Sequence, residues 1–100
     1  MFEHIKLIHV DGKNSGHKLI LFGLTTCGYC KRALSYLNDE GFEYDYIFLD
    51  EIPFDDKQKA KDEFKTHFGK RMTFPTLIID QEEFLIGFIQ PSWDMKLKES

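Results

Sequence analysis

The feature that most limits the possible folds is a change of hydrophobic period within residues 19–49. The run Leu19–Phe22 is short and continuously apolar, which is typical of a strand buried on both faces. Apolar residues then recur at the spacing of one helix face, at Cys30, Ala33, Leu34 and Leu37. This helix is expected to end near Gly41, and Tyr44–Leu49 predicts a second strand. A strand–helix–strand order implies parallel strands joined by a right-handed crossover, and therefore an α/β fold.

Elements on both sides of this unit are predicted from the same kinds of pattern. Upstream, Ile5–Val10 predicts an N-terminal strand, which either forms a hairpin with the next strand or covers an edge of the sheet. Downstream, Asp55 or Asp56 is expected to cap a second helix that ends before Gly69. The apolar stripe of that helix consists of Ala60, Phe64 and Phe68.

The last third of the chain predicts a hairpin and a helix. Leu77–Ile79 and Phe84–Ile86 are close enough in sequence to form an antiparallel pair. A C-terminal helix starting near Pro91 would bury Trp93 and Leu97. Trp93 and the ten phenylalanines are predicted to form core. We therefore expect one domain over residues 1–100: a mixed four-stranded sheet flanked by helices, with residues 1–16 as an extra N-terminal strand and loop.

Charge and hydropathy narrow the range of partners. The net charge of −4 argues against nucleic acid as the main partner. The longest purely apolar stretch, Leu19–Phe22, is far shorter than the roughly 20 residues of a membrane-spanning helix. The first residues show no basic segment followed by an apolar run, so no signal peptide is predicted. We expect a cytoplasmic protein without a membrane or nucleic-acid partner.

The two cysteines are Cys27 and Cys30, separated by two residues at the junction of the first core strand and the first helix. A disulfide framework would need more cysteines, and a zinc site would need two further ligands. The four histidines, His4, His9, His17 and His67, contain no pair at the spacing of a zinc knuckle, and no metal site is predicted. A redox-active dithiol remains, with two buried structural thiols as the alternative.

The predicted position of Cys27 favours thiolate chemistry. A residue at the N-cap or first turn of a helix faces unpaired N–H groups and the positive end of the helix dipole, which stabilise an anion. The thiolate is the nucleophile in disulfide exchange. Cys30 lies one turn further on the apolar face, so it should be the less exposed sulfur and resolve the mixed disulfide formed by Cys27. Lys31 and Arg32 follow, either to stabilise an anion or as ordinary surface charge.

Three motifs resemble those of the glutaredoxin family over roughly residues 17–90: Thr26-Cys27-Gly28-Tyr29-Cys30, Thr73-Phe74-Pro75 and Gly87. The resemblance implies a thioredoxin fold and thiol–disulfide oxidoreductase activity, with Cys27 as nucleophile and Cys30 as resolving cysteine. It also implies a cis peptide bond before Pro75 that sets the backbone of Phe74 beside Cys27. The expected substrate-binding residues are Tyr29, Arg71, Thr73, Phe74, Pro75, Gly87 and Phe88. No tightly bound cofactor is expected beyond the redox-active Cys27–Cys30 disulfide, with glutathione or another small thiol as cosubstrate.

Three departures from the family pattern affect the expected partners. Gly28-Tyr29 replaces the usual Pro-Tyr, Leu24 stands where a lysine is common, and Gly87-Phe88 replaces a Gly-Gly pair with an acidic or hydroxyl residue after it. Two features that bind glutathione are therefore missing. Gly87-Phe88 with Pro91 is somewhat similar to the glutaredoxin-like hydrogen donors of ribonucleotide reductase. The expected partners are disulfide-containing proteins, ribonucleotide reductase among them, and a low-molecular-weight thiol or thioredoxin reductase as electron donor.

Two other functions stay open on the sequence. One is an iron–sulfur cluster carrier, because some glutaredoxins bridge a cluster between two chains through the first cysteine and glutathione. The other is a non-catalytic interaction module with a thioredoxin fold, which the intact dithiol counts against.

Overall fold

The computed structural model describes residues 1–98 as five strands and three helices, with a 3-10 turn at Leu49–Glu51. The strands are β1 (Ile8–Val10), β2 (Leu19–Gly23), β3 (Tyr44–Phe48), β4 (Thr76–Ile79) and β5 (Glu83–Ile86). The helices are α1 (Gly28–Asp39), α2 (Phe54–Phe68) and α3 (Gln90–Leu97).

The strands form one mixed sheet in the order β1-β3-β2-β4-β5. β2 and β3 are parallel and are joined through α1, whereas β1 with β3, β2 with β4, and β4 with β5 are antiparallel pairs. All five residues of β2 are buried because β2 is the central strand. The chain leaves β2 at Gly23 and enters α1 at Gly28, after four intervening residues, at the carboxyl ends of the parallel strands β2 and β3, where open α/β sheets place their sites.

Two apolar clusters cover the two faces of the sheet. Alternate β2 residues point to opposite faces, so Leu19 and Leu21 belong to one cluster and Ile20 and Phe22 to the other. The first cluster packs α1 and α3 against the sheet, with Trp93 almost fully buried. The second packs α2 and the N-terminal segment, including Phe2, against the opposite face. The sheet is thereby held rigidly from both sides, and the loop before α1 starts from a fixed strand.

The structure confirms the predicted fold class and the extra strand, and it resolves the position of that strand. β1 does not form a hairpin with β2, so that option is wrong. It pairs with β3 from Ile8 opposite Tyr46 to Val10 opposite Tyr44, and so covers the edge of the sheet. The predicted burial of Trp93 and Leu97 by the C-terminal helix is confirmed.

Two predictions about the second helix are wrong. α2 begins at Phe54 after Pro53, and no side chain caps it. Asp55 and Asp56 lie in its first turn instead, where their negative charges interact favourably with the helix dipole without capping the helix. Phe54 itself is 73% exposed, so the expectation that every phenylalanine forms core fails there.

Within residues 1–98, none of the helices combines the length and the apolar character needed to cross a bilayer.

Candidate active site

The loop between β2 and α1 places Cys27 at the N-cap of the helix. Residues 24–27 form a turn in which the N–H of Cys27 donates to the carbonyl of Leu24 at 3.1 Å. The Sγ atom of Cys27 accepts a hydrogen bond from the backbone N–H of Cys30 at 3.2 Å. The sulfur therefore occupies the place that a side-chain oxygen takes in an ordinary N-cap, where a negative charge is favoured.

The second sulfur has the opposite environment. Cys30 is fully buried, whereas Cys27 is partly exposed. Burial, together with the contact to Cys27, raises the pKa of the Cys30 thiol to about 12. Cys30 is thus held protonated at neutral pH, as a resolving thiol must be until a mixed disulfide forms beside it.

Gly23 provides the space that the second sulfur occupies. A Cβ atom at Gly23 would lie 3.0 Å from Cβ and 3.1 Å from Sγ of Cys30. A larger residue at the end of β2 would collide with Cys30, because the Cys30 side chain of α1 packs directly on the strand at Gly23. The backbone of Gly23 itself is ordinary strand, paired with Phe48 of β3.

A carboxylate from the 3-10 turn that follows β3 holds Thr25, the second residue of the turn before α1. Both carboxylate oxygens of Asp50 accept from the backbone N–H of Thr25, at 3.0 and 3.2 Å. The hydroxyl of Thr25 also donates to Asp50 Oδ2. These hydrogen bonds lower the pKa of Asp50 below its usual range, so that the carboxyl group is ionised at neutral pH.

The proline turn lies at the same end of the sheet. The Phe74–Pro75 peptide bond is cis, as the resemblance implies. Thr76 pairs with Phe22 in the antiparallel β2–β4 register, so Pro75, the residue before Thr76, lies next to the Gly23 end of β2. Pro75 is buried, and Phe74 packs partly buried against the second cluster.

One hydrogen bond connects this turn to the residue after β5, and another lies within the turn. The N–H of Gly87 donates to the carbonyl of Pro75 at 2.8 Å, and the hydroxyl of Thr76 donates to the carbonyl of Thr73. Gly87 has a φ of +73°, a left-handed conformation that favours glycine. The structure therefore brings Pro75 and Gly87 together, as two of the predicted substrate-binding residues.

Arg32 contacts Tyr29 and lines a groove together with Phe88. Tyr29 is 59% exposed in the first turn of α1, and the guanidinium of Arg32 lies 5.2 Å from the centre of its ring. Arg32 and Phe88 line the same groove, of about 420 Å³, beside α1. The ring of Phe88 also packs on Trp93 at 4.9 Å between ring centres.

Arg71 lies on another surface. It is exposed and lines a separate cavity of about 300 Å³ with α2 residues, among them Lys61 and Asp62. The structure thus does not group Arg71 with Phe88. The substrate-binding roles of Tyr29, Arg71, Thr73, Phe74, Pro75, Gly87 and Phe88 all stay predictions.

One set of potential metal donors occurs among residues 1–98, where donor atoms of His9, Asp11 and Glu43 lie within 4.8 Å of one another. These residues lie at the amino end of β3, opposite the end that carries Cys27. Both ring nitrogens of His9 already have carboxylate partners, Asp45 at 2.7 Å and Asp11 at 3.0 Å. The contact to Asp45, more than that to Asp11, raises the pKa of His9, and the pair with Asp45 joins β1 to β3 across the sheet.

Sequence reasoning missed Gly23 and Asp50. Gly23 ends an apolar strand, and a glycine there is a signal of close approach by another part of the chain. Asp50 stands within an acidic stretch, where its charge looks like ordinary surface charge. Its position directly after the parallel strand next to β2 is the signal that would have identified it.

The sequence profile of the glutaredoxin family matches residues 19–84. The fold is similar to that of the glutaredoxin from Methanosarcina mazei Go1, with 29% identity, 95% of this chain and 90% of the other covered, and a TM-score of 0.80. Methanoredoxin from Methanosarcina acetivorans is 27% identical, with 95% and 97% covered and a TM-score of 0.80. A buckwheat glutaredoxin in complex with glutathione is 27% identical, with 82% and 74% covered and a TM-score of 0.63.

No curated protein sequence matches the chain significantly. The family profile nevertheless covers about two-thirds of the chain and includes both cysteines, the cis-proline turn, the whole of β2, β3 and β4, and the start of β5. The chain therefore belongs to the glutaredoxin family, whose members are thiol–disulfide oxidoreductases with a thioredoxin fold.

Proposed function

We propose that this protein reduces disulfides in proteins, or mixed disulfides between proteins and small thiols, by a dithiol mechanism. The observation that supports this most directly is the asymmetry of the two sulfurs. Cys27 is accessible and caps a helix N-terminus, whereas Cys30 is buried and protonated one turn away. A nucleophile and a resolving thiol need those two environments.

In the first step the thiolate of Cys27 attacks one sulfur of the substrate disulfide. A sulfur–sulfur bond forms between Cys27 and that sulfur, the substrate S–S bond breaks, and the other substrate sulfur leaves as a thiolate. The backbone N–H of Cys30 supports the attacking charge, since it already donates to Sγ of Cys27.

In the second step Cys30 attacks Sγ of Cys27. The Cys27–Cys30 disulfide forms, the mixed disulfide breaks, and the remaining substrate sulfur leaves as a thiolate. Over the two steps the substrate disulfide gains two electrons and the dithiol loses two. The proton of Cys30 ends on a departing substrate thiolate. Because the pKa of Cys30 is raised, this proton is not lost before the mixed disulfide places an acceptor next to it.

The electron donor that returns the pair to the dithiol is proposed to be a protein reductase or a small thiol other than glutathione. Leu24 packs against the second apolar cluster where relatives commonly carry a lysine, so it supplies no cation for a glutathione carboxylate. Phe88 packs on Tyr36 and Trp93 where a polar residue would hold the γ-glutamyl end. Both contacts favour a poor response to glutathione.

A coupled assay tests the reaction and its electron donor together. The oxidised protein is supplied with a disulfide substrate and either glutathione plus glutathione reductase or thioredoxin reductase, and NADPH consumption is followed. We expect turnover with thioredoxin reductase and slow turnover with glutathione. Cys27→Ser is the matched control, and it should consume no NADPH above background with either donor.

The outcomes separate the reaction from the donor. Fast turnover with glutathione would contradict the argument from Leu24 and Phe88 and leave the dithiol reaction intact. Turnover by Cys27→Ser equal to that of the unaltered protein would contradict the proposed reaction itself. The iron–sulfur carrier and the cytoplasmic location stay predictions. Visible absorbance of anaerobically purified protein, abolished by chelation, is the test of the former.

A further inference from the structure

We propose that Asp50 is a positioning residue for Cys27, acting through Thr25; this inference rests on the proposed role of Cys27 as the nucleophile. Asp50 accepts both the backbone N–H and the hydroxyl of Thr25. Thr25 is the second residue of the turn in which the N–H of Cys27 donates to the carbonyl of Leu24. Asp50 therefore bonds directly to the turn that sets the N-cap, two residues before Cys27.

The residues that precede Asp50 are anchored in the core and in the sheet. Leu49, the residue before it, is fully buried in the second cluster, and Phe48 pairs with Gly23 in the parallel β2–β3 register. The 3-10 turn that carries Asp50 thus continues directly from β3 and is anchored in the core by Leu49. In contrast, Thr25 lies in a loop, whose residues are more mobile than the strands they connect. The contact transfers the rigidity of β3 to the loop that carries the sulfur.

The charge on Asp50 makes this contact stronger than a neutral one. The hydrogen bonds from Thr25 lower the pKa of Asp50, so it is an ionised acceptor throughout the neutral range. A negative charge near a thiolate would by itself disfavour the thiolate. The two possible effects of Asp50, positioning and repulsion, therefore act on Cys27 in opposite directions, which allows a test to separate them.

The test measures alkylation of Cys27 by iodoacetamide at pH 7 in the full-length Cys30→Ser protein, which has one thiol. In this background Asp50→Ala is compared with Glu51→Gln, a change at the neighbouring exposed acid. We expect Asp50→Ala to slow alkylation by roughly tenfold, the effect of losing a hydrogen bond to a charged group, and Glu51→Gln to leave it unchanged within about twofold. Asp50→Asn keeps one acceptor oxygen and should fall between them.

A double-mutant cycle checks that the effect passes through Thr25. Thr25→Val removes the hydroxyl and keeps the N–H, so it should slow alkylation when Asp50 is present and have little further effect in Asp50→Ala. Denaturant unfolding of each variant gives the folded fraction to which the rates are normalised. A merely structural role would lower stability without changing the normalised rate.

The outcomes are distinct for this inference and for the proposed function. Faster alkylation in Asp50→Ala would show that Asp50 acts as a repelling charge, and an unchanged normalised rate would show that it acts on stability alone; either result overturns the inference. Because alkylation needs no turnover, slower alkylation in a protein that reduces no disulfide would support the inference and contradict the proposed function.

Discussion

The buried environment of Cys30 makes a quantitative prediction about its reactivity. In the Cys27→Ser variant, Cys30 is the one remaining thiol. Burial, the larger cause of its shifted pKa, persists in that variant, although the contact to Cys27 is lost. We therefore expect Cys30 to react far more slowly in the folded protein than in the unfolded chain.

The size of the effect follows from the pKa. In the unaltered protein, a rise from 9.0 to about 12 reduces the thiolate fraction at pH 7 by about a thousandfold, and this is the upper limit for Cys27→Ser, in which the contribution of Cys27 to the pKa is lost. A thiolate of higher pKa is a better nucleophile, with a Brønsted coefficient of about 0.4–0.5, which returns about twentyfold. The raised pKa alone therefore slows alkylation of Cys30 by up to about fiftyfold relative to the unfolded chain. Steric exclusion at a fully buried sulfur slows it further.

The assay is iodoacetamide labelling at pH 7, followed by mass spectrometry, with and without denaturant. The Cys30→Ser protein, which keeps Cys27, is the control and should be labelled rapidly while folded. Labelling of Cys30 at similar rates in the folded and unfolded Cys27→Ser protein would refute the assignment of Cys30 as the protected, protonated thiol.

Three further predictions concern residues that support the site and the sheet. Gly23→Ala brings a Cβ to about 3 Å from the Cys30 side chain and should cost about 1–3 kcal/mol in denaturant unfolding while slowing disulfide reduction; equal stability and rate would contradict the close contact. Trp93→Phe removes the indole N–H that donates to the carbonyl of Gly87 at 3.0 Å and also leaves a cavity at a buried site, so it should cost at least about 1–3 kcal/mol in the same measurement, and an unchanged stability would contradict this reasoning. Because the pKa of His9 is raised above 6.5 by its carboxylate partners, the stability it adds is complete below that pH and is lost as the pH rises through the raised value. The unfolding midpoints of the unaltered protein and His9→Gln should therefore differ at about pH 5.5 and converge at about pH 9, and a gap that widens with pH would reverse this reasoning.

Local sequence patterns predicted the elements of the fold well because each element has its own period. The apolar run of β2, the helical spacing after Cys27 and the buried Trp93 of α3 all follow from side chains near one another in sequence. The predicted start of α2 was wrong because the N-cap position is taken by Pro53, whose φ is fixed, and the helix begins at Phe54 instead of after Asp55 or Asp56.

Contacts between distant residues could not be predicted in the same way. The partner of β1 depends on which edge of the sheet is open, and no local pattern specifies that choice. The contact between Thr25 and Asp50 joins two residues 25 positions apart and exists because β2 and β3 are parallel in a particular register. Likewise, the closeness of Gly23 to Cys30 appears only when α1 is packed on the sheet.

The central claim, that Cys27 is the sulfur that attacks the substrate, is tested most directly by trapping the mixed disulfide. The Cys30→Ser protein is mixed with a disulfide substrate, quenched with acid and mapped by tandem mass spectrometry. We predict one substrate adduct, on Cys27, that accumulates because no resolving thiol is present. The Cys27→Ser protein should form none on the same time scale. An adduct on Cys30 in Cys27→Ser, formed as fast as the one on Cys27, would contradict the account.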